Sequence, residues 1–143
     1  MTTISIATQD DISHCNSIDQ NLGFQTNMPV FIHATRESRL LVASMDNTVV
    51  GYLRFSWLWD EKLPYIQVLR IHTDYRRQGI GKDLIAALEE ELKIKNVTTL
   101  LSSTEETNTD SLAFHEAVGF ENCGVLSINE DGQPEIFLKK SVQ

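Results

Sequence analysis

The sequence predicts a mixed α/β (α+β) fold, in which a mostly antiparallel central sheet of about seven strands is flanked by about four helices. Three observations predict it. Apolar residues alternate with a period of two in some stretches and recur every three or four residues in others. A strand, a glycine turn, a helix and a further strand follow one another mid-chain, which requires a parallel pair joined by a right-handed crossover. Turn-forming pairs on either side predict hairpins, so the sheet is mixed.

Length and charge limit the class of protein. The 143 residues, 41% of them hydrophobic, fit a single domain over residues 1–143. The formal net charge of −8 disfavours nucleic acid and anionic membranes and favours cationic partners. The start of the chain, Met1 to Ser5, lacks a basic segment followed by a long apolar one, which predicts a cytoplasmic protein without membrane contact.

Two cysteines, Cys15 and Cys123, occur in different predicted elements. They are too few for a disulfide framework or a zinc site with four cysteine ligands. We therefore predict two buried, reduced thiols and no metal.

The N-terminal part predicts one strand followed by two helices. Alternating apolar residues predict a strand over Thr3–Ala7, and a helix capped by Asp10 or Asp11 should run to about Gly23. Phe24 to Pro29 predicts a loop, and Pro29 suits the start of the second helix.

A hairpin should follow. Apolar runs at Leu40–Ala43 and Val49–Phe55 flank the turn-forming pair Asp46-Asn47. Trp57 and Trp59 extend the second strand with a period of two, and they fit either core packing or the lining of a substrate site.

The remaining elements complete the order β-α-α-β-β-β-α-β-α-β-β. Pro64 is tolerated at the first residue of a strand, and the strand continues over Tyr65–Ile71. The predicted elements after it are a helix over Gly79–Lys95, a strand over Val97–Ser102, a helix over Asn108–Val118, and a closing hairpin of Phe120–Ile128 and Glu135–Lys140.

The turn between the strand at Tyr65–Ile71 and the next helix has the chemistry of a phosphate site. It contains Arg76, Arg77, Gln78, Gly79, Ile80, Gly81 and Lys82. Free N–H groups and the helix dipole favour an anion there, and glycines let the backbone approach a pyrophosphate closely. The spacing matches neither the dinucleotide fingerprint nor the ATP-type loop.

Instead, Arg76-x-x-Gly79-x-Gly81 resembles the acetyl-CoA pyrophosphate signature of the GNAT superfamily. A second motif, Asn108-x-x-Ser111, then His115 and Gly119-Phe120, resembles the segment after the fifth strand of that family. The resemblance covers the whole chain. It implies the GNAT fold and an N-acetyltransferase that moves the acetyl group of acetyl-CoA to a primary amine by direct attack.

The resemblance also implies which residues bind the cosubstrate. The backbone of Leu69, Arg70 and Ile71 should pair with the pantetheine arm and offer an N–H to the oxyanion. The amides of residues 77–82 should hold the pyrophosphate, and Asn108 should contact the arm.

The general acid and the general base of the reaction are less well defined. His115 occupies the position where most relatives have a tyrosine proposed to protonate CoA, and it could instead be a packed side chain. The positions where relatives often place a glutamate base are Tyr65 and Ser103, which are poor bases. A water-relayed proton, or a carboxylate at Glu61, Glu105 or Glu106, remains open.

The acceptor is also left open, between a small cationic amine and a protein amine. The absence of strand carboxylates supports an alternative, a non-catalytic acyl-CoA-binding module with the same fold. The resemblance further implies that a homodimer could form through sheet edges or the C-terminal hairpin.

Overall fold

A computed structural model describes residues 1–25 and 27–143 of the chain. The strands are β1 (Thr2–Ile6), β2 (Leu40–Met45), β3 (Thr48–Trp57), β4 (Pro64–Ile71), β5 (Thr99–Glu105), β6 (Glu121–Leu126) and β7 (Glu135–Ser141). The helices are α1 (Ile12–Asn21), α2 (Met28–Arg36), α3 (Ile80–Ile94) and α4 (Thr109–Ala117). This order confirms the predicted one. Of the predicted loop at residues 24–29, Thr26 lies outside the described residues.

The seven strands form one mixed sheet in the order β1-β2-β3-β4-β5-β7-β6. All neighbours are antiparallel except β4 and β5, which confirms the crossover through α3. The main apolar core lies between the sheet and α3 with α4, and a second core lies on the opposite face under α1 and α2. No helix among the described ranges is long and apolar enough to cross a membrane.

Local sequence accounts for the elements that border the site. The apolar stripe of α3 is buried as its helical spacing predicts, at Ile80, Leu84, Ile85, Leu88 and Leu92. Asp46 and Asn47 both have positive φ, at 50° and 64°, which is the conformation of a tight hairpin turn. Pro29 lies in the first turn of α2, where its missing N–H costs nothing.

Two predictions about single side chains were wrong, those for Trp59 and Cys123. Trp59 lies beyond the end of β3 and is 68% exposed, because the chain turns there instead of continuing the strand. Trp57 ends β3 and packs edge-on against Phe55 and the main core, which fits the core packing that the sequence left open. Cys123 is exposed, since β6 lies at the sheet edge, whereas Cys15 is buried on the inner face of α1. Burial, with the nearby Asp11 and Asp19, raises the pKa of the Cys15 thiol to about 12.

A buried polar cluster ties α1 to the sheet. The Asp19 carboxylate accepts hydrogen bonds from the Tyr52 hydroxyl and from Nη1 of Arg70, the latter at 2.9 Å. Asp19 is almost fully buried, so its charge depends on these partners. The side chain of Arg70 is therefore committed to α1, and only its backbone remains for the role that the sequence predicts.

Candidate active site

A cleft opens where β4 and β5 diverge. Within the described part of the chain, Tyr65 and Leu101 are the paired residues of these two parallel strands. On its other side, β4 stays paired with β3 as far as Ile71. The backbone N–H and C=O groups of β4 beyond Tyr65 that face β5 therefore have room to pair with an extended ligand. This edge includes Leu69, Arg70 and Ile71, whose pairing with the pantetheine arm stays a prediction.

A β-bulge marks the inner end of this edge. Consecutive residues of β3, Arg54 and Phe55, lie opposite Val68 and Ile66 of β4, which leaves Gln67 as the extra residue. From Gln67 to Ile71 the strand extends about 13 Å, at roughly 3.3 Å per residue. A ligand arm lying along it would end beside the junction of β4 and β5.

The outer end of the edge leads into the predicted anion site. Arg77 and Gly79 have positive φ, at 62° and 78°, so the backbone changes direction just before α3 begins. Asp83 N bonds to the Gly79 carbonyl, and among the described residues no backbone hydrogen bond is formed by the amides of residues 78–82. The helix dipole adds partial positive charge to these free amides. The cations of this loop, Arg76, Arg77 and Lys82, are exposed.

The two glycines of this loop serve different purposes, which the sequence alone did not distinguish. A β-carbon on Gly79 would meet no atom within 4 Å, so this glycine supplies a left-handed φ facing open space. A β-carbon on Gly81 would lie 3.1 Å from Cζ of Phe114. Gly81 therefore lets α4 pack closely against α3, and contact of its amide with a pyrophosphate stays a prediction.

Asn108 is held at the start of α4. Its Oδ1 accepts the Ser111 N–H at 3.1 Å, which caps the helix. The same side chain still has its amide NH₂ as a donor. Cosubstrate contact by Asn108 stays a prediction, and the cap is a structural role that the motif did not reveal.

His115 is buried beneath the sheet, with partners on both ring nitrogens. Nδ1 lies 2.7 Å from the Ser111 carbonyl, which can only accept, so the proton is on Nδ1. Nε2 lies 2.8 Å from Oγ of Ser102 and accepts its hydrogen. The ring also packs edge-on against Phe120. Acid catalysis by His115 stays a prediction, and these contacts favour the packed role that the sequence left open.

Burial lowers the pKa of His115 below its ordinary 6.5, although the bond to Ser111 opposes this shift. The unfolded chain therefore binds more protons than the native one as the pH falls below about 6.5. We expect the free energy of unfolding to hold above that pH and to decline as the pH falls towards the lower, native pKa. Urea unfolding at pH 7.5 and 5.5 measures this decline.

Substitution His115→Gln should remove much of this pH dependence and cost about 1–3 kcal/mol at pH 7.5, because buried polar partners lose their bonds. An unchanged pH dependence would contradict the assignment of a buried neutral ring. The same variant tests catalysis. If kcat, corrected for the folded fraction, is unchanged across pH, His115 is not the acid.

The opposite face of the sheet carries a hydrogen-bonded chain at the β4–β5 junction. The Tyr65 hydroxyl lies 2.6 Å from Oγ of Ser103, and that Oγ donates to Oε2 of Glu135 at 2.6 Å. The Ser103 hydroxyl donates its hydrogen to the Glu135 carboxylate. It therefore accepts the hydrogen bond that joins it to the Tyr65 hydroxyl. Asn129 donates to the other carboxylate oxygen at 3.1 Å. All three residues of the relay, defined as Tyr65, Ser103 and Glu135, are partly buried.

Glu135 is the residue that sequence reasoning missed. Ser103 and Glu135 are 32 positions apart and meet through the antiparallel register of β5 and β7. The available signal was an acidic residue opening the last predicted strand. A nearby candidate, Glu105, lies opposite Glu135. Partial burial, then Asp131 and Glu135, raise the pKa of Glu105.

A groove of about 410 Å³ adjoins the relay on the same face. Ser56, which lines it, is directly opposite Tyr65 in the sheet register. The other wall is α2. The lining residues on that wall include Pro29, Val30 and His33. The groove, the relay and the β4 edge thus meet at one point.

The chain is similar to known acetyltransferases. The model of the Acetyltransferase (GNAT) family matches residues 8–120. Acetyltransferase Atu2258 of Agrobacterium fabrum is 30% identical over 109 residues, which cover 73% of this chain and 74% of that protein. The ribosomal protein bS18-alanine N-acetyltransferase of Salmonella typhimurium is 25% identical over 127 residues, covering 87% and 84% of the two chains.

Solved structures share the fold. The PaiA N-acetyltransferase from Thermoplasma acidophilum, in complex with coenzyme A, superimposes with a TM-score of 0.81 over 99% of both chains. The two sequences are 14% identical, so this similarity concerns the fold alone.

Proposed function

The chain belongs to the GNAT acetyltransferase family, and from that premise we propose that it transfers the acetyl group of acetyl-CoA to a primary amine by direct attack. The family relationship makes it an acyltransferase with acetyl-CoA as cosubstrate. One observation supports this site most strongly. A β4 edge that β5 leaves free connects an open anion site at one end to the relay at the other.

The cosubstrate would bind along this edge. Amides of residues 78–82, with Arg76, Arg77 and Lys82 around them, are suited to the pyrophosphate. The backbone of Leu69 to Ile71 is suited to the amide groups of the pantetheine arm, in the manner of an added strand. The thioester would then lie beside Gln67, at the entrance to the groove.

The relay is suited to removing a proton from the acceptor. An alkylammonium is mostly protonated at neutral pH and must lose a proton before it attacks. If the Tyr65 oxygen accepts that proton while its own passes to Ser103, and the Ser103 proton passes to Glu135, the carboxylate becomes the final base. The amine nitrogen then bonds to the thioester carbon, the C–S bond breaks, and the thiolate takes a proton.

The class of acceptor is a separate part of the proposal. The similarity to the ribosomal protein bS18-alanine N-acetyltransferase of Salmonella typhimurium supports an amine of a protein. The groove beside Tyr65 is open along α2, which suits an extended acceptor.

The test is amine-dependent thiol release. The folded protein, acetyl-CoA and a panel of an alanine-starting peptide, glycinamide and a polyamine should release CoA thiol, and mass spectrometry should find the acetylated amine. Calorimetry of CoA binding is measured alongside. If the protein binds CoA but no amine causes thiol release, the acyl-CoA-binding module is favoured. If the folded protein binds no CoA, both the acetyltransferase and the binding module are refuted.

A further inference from the structure

The ionisable side chains that line the groove next to the relay are all basic, although the whole chain carries a net charge of −8. Arg39 and Arg54 both line it, and so does His33. A third arginine, Arg70, lies close enough to influence the pKa of Arg54. The global charge balance therefore does not describe the surface that an acceptor would meet.

Two of these arginines already have carboxylate partners. Arg39 bonds Glu37 through Nε at 2.9 Å and through Nη2 at 2.8 Å, and its Nη1 donates to the Phe55 carbonyl. Arg70 is held by Asp19 at 2.9 Å. Their charges are balanced within the protein. Glu37 also contacts Nε2 of His33, at 3.0 Å.

Arg54 differs from them. Its Nη1 donates to Oε1 of Gln67 at 2.5 Å, and no carboxylate forms an ion pair with it in the described part of the chain. Burial, with the charges of Arg39 and Arg70, lowers the pKa of Arg54, although Tyr52 and Asp19 oppose this shift. A half-buried guanidinium beside other cations gains most from an anion, and its remaining N–H groups can hold a carboxylate through two parallel bonds.

Arg54 is also close to the reacting position. It lies two residues before Ser56 on β3, and Ser56 is opposite Tyr65. Two residues of a strand span about 7 Å. Gln67, the partner of Arg54, is the bulge residue beside which the thioester would lie. An anion bound by Arg54 would therefore be a few bonds from an amine positioned at the relay.

We propose that the acceptor carries a carboxylate near its reactive amine and that Arg54 binds this carboxylate. The proposal rests on the proposed function, and it deepens that function by naming the acceptor class. A groove of about 410 Å³ has the volume of an amino acid or a short peptide. The carboxylate is then either the α-carboxylate of a free amino acid or an acidic side chain near a peptide N-terminus.

The test uses acceptor pairs that differ in one charge. Glycine is compared with glycinamide, and the amidated peptide Glu-Ala-Ala with Gln-Ala-Ala, for the wild type, Arg54→Gln and Arg54→Lys. We expect the wild type to prefer the carboxylate member of at least one pair by tenfold or more in kcat/KM, mainly through KM. The pair that shows the preference identifies the source of the carboxylate. Arg54→Gln should abolish it and Arg54→Lys should keep part of it.

Arg36→Gln is the matched control, because it removes the same charge from the exposed end of α2 and should keep the preference. Thermal melting checks that each variant is folded. The inference is refuted if the wild type acetylates both members of each pair equally well, or if the Arg54→Gln variant keeps the preference for the carboxylate member. Either result leaves the proposed function unaffected.

A second readout does not need turnover. N-acetylglycine and N-acetylglycinamide are titrated into the protein with CoA present, since they mimic the product. Tighter binding of the carboxylate form by the wild type, lost in Arg54→Gln, supports the inference even if no amine releases thiol. Equal affinities in both proteins refute it.

Discussion

Replacement of Glu135 by glutamine is expected to lower kcat at pH 7 by about 10²-fold, the lower range for loss of a general base. Glutamine keeps one oxygen that accepts the Ser103 hydrogen bond and keeps the size of the side chain, but it cannot take up a proton and its NH₂ group cannot accept the bond from Asn129. Affinity for CoA and the melting temperature should change little. Steady-state kinetics, CoA calorimetry and thermal melting measure the three quantities.

The pH dependence separates chemistry from structure. As the pH rises towards the pKa of the amine, near 10.4 for an alkylammonium, more acceptor arrives unprotonated and the base matters less. The gap between the wild type and Glu135→Gln should therefore narrow at high pH. If the loss of kcat is the same at every pH, or if it accompanies a lower melting temperature, the role of Glu135 is only to stabilise the sheet.

Two further variants sharpen this test. Ser103→Ala interrupts the relay, so adding Glu135→Gln to it should cost little more, as expected for residues that act as one unit. Glu106→Gln is a matched control, because Glu106 is an exposed glutamate after β5. It should keep wild-type kcat. Full additivity of the first two changes would argue against a relay.

Substitution Gly79→Ala is expected to weaken CoA binding by at least tenfold, or about 1.4 kcal/mol. Alanine disfavours the left-handed conformation by roughly 1–2 kcal/mol, so the loop relaxes and its amides no longer converge. The Kd for CoA from calorimetry is the measurement. Burial of other residues is not disturbed, since a β-carbon there meets no neighbour within 4 Å.

The chain offers a close control. Gly23 and Gly132 have φ of 80° and 79°, against 78° for Gly79, and a β-carbon on either would also meet nothing within 4 Å. Alanine at these three positions should reduce stability to a similar extent. If Gly23→Ala weakens CoA binding as much as Gly79→Ala does, the effect is one of general stability, and the anion site is wrongly assigned.

Much of the fold could be predicted because its signals are local. The stripe from Ile80 to Leu92, the turn at Asp46-Asn47 and the glycine loop each lie within a few residues. Trp59 was assigned wrongly because a period of two continues past the point where the chain turns. Cys123 was assigned wrongly because its exposure depends on which strand lies at the sheet edge.

The site was harder to predict because the residues that contact one another there are far apart in the sequence. Glu135 reaches Ser103 only through strand register, and no motif encodes that register. Arg54 is left without a carboxylate partner among the described residues because two nearby carboxylates bind other arginines. Glu37 pairs with Arg39, and Asp19 pairs with Arg70. The overall negative charge predicted a cationic acceptor, whereas charge within one groove is set by a few side chains.

The sparse pairing between β4 and β5 has a consequence for the protein as a whole. Its sheet consists of a four-stranded half and a three-stranded half, joined edge to edge at Tyr65 and Leu101 in the described structure. A molecule lying in the gap would complete the hydrogen bonding that the polypeptide leaves unfinished. The cosubstrate would then serve as a removable eighth strand, and occupancy at a hundred times its Kd would add about 2.7 kcal/mol to the stability of the enzyme.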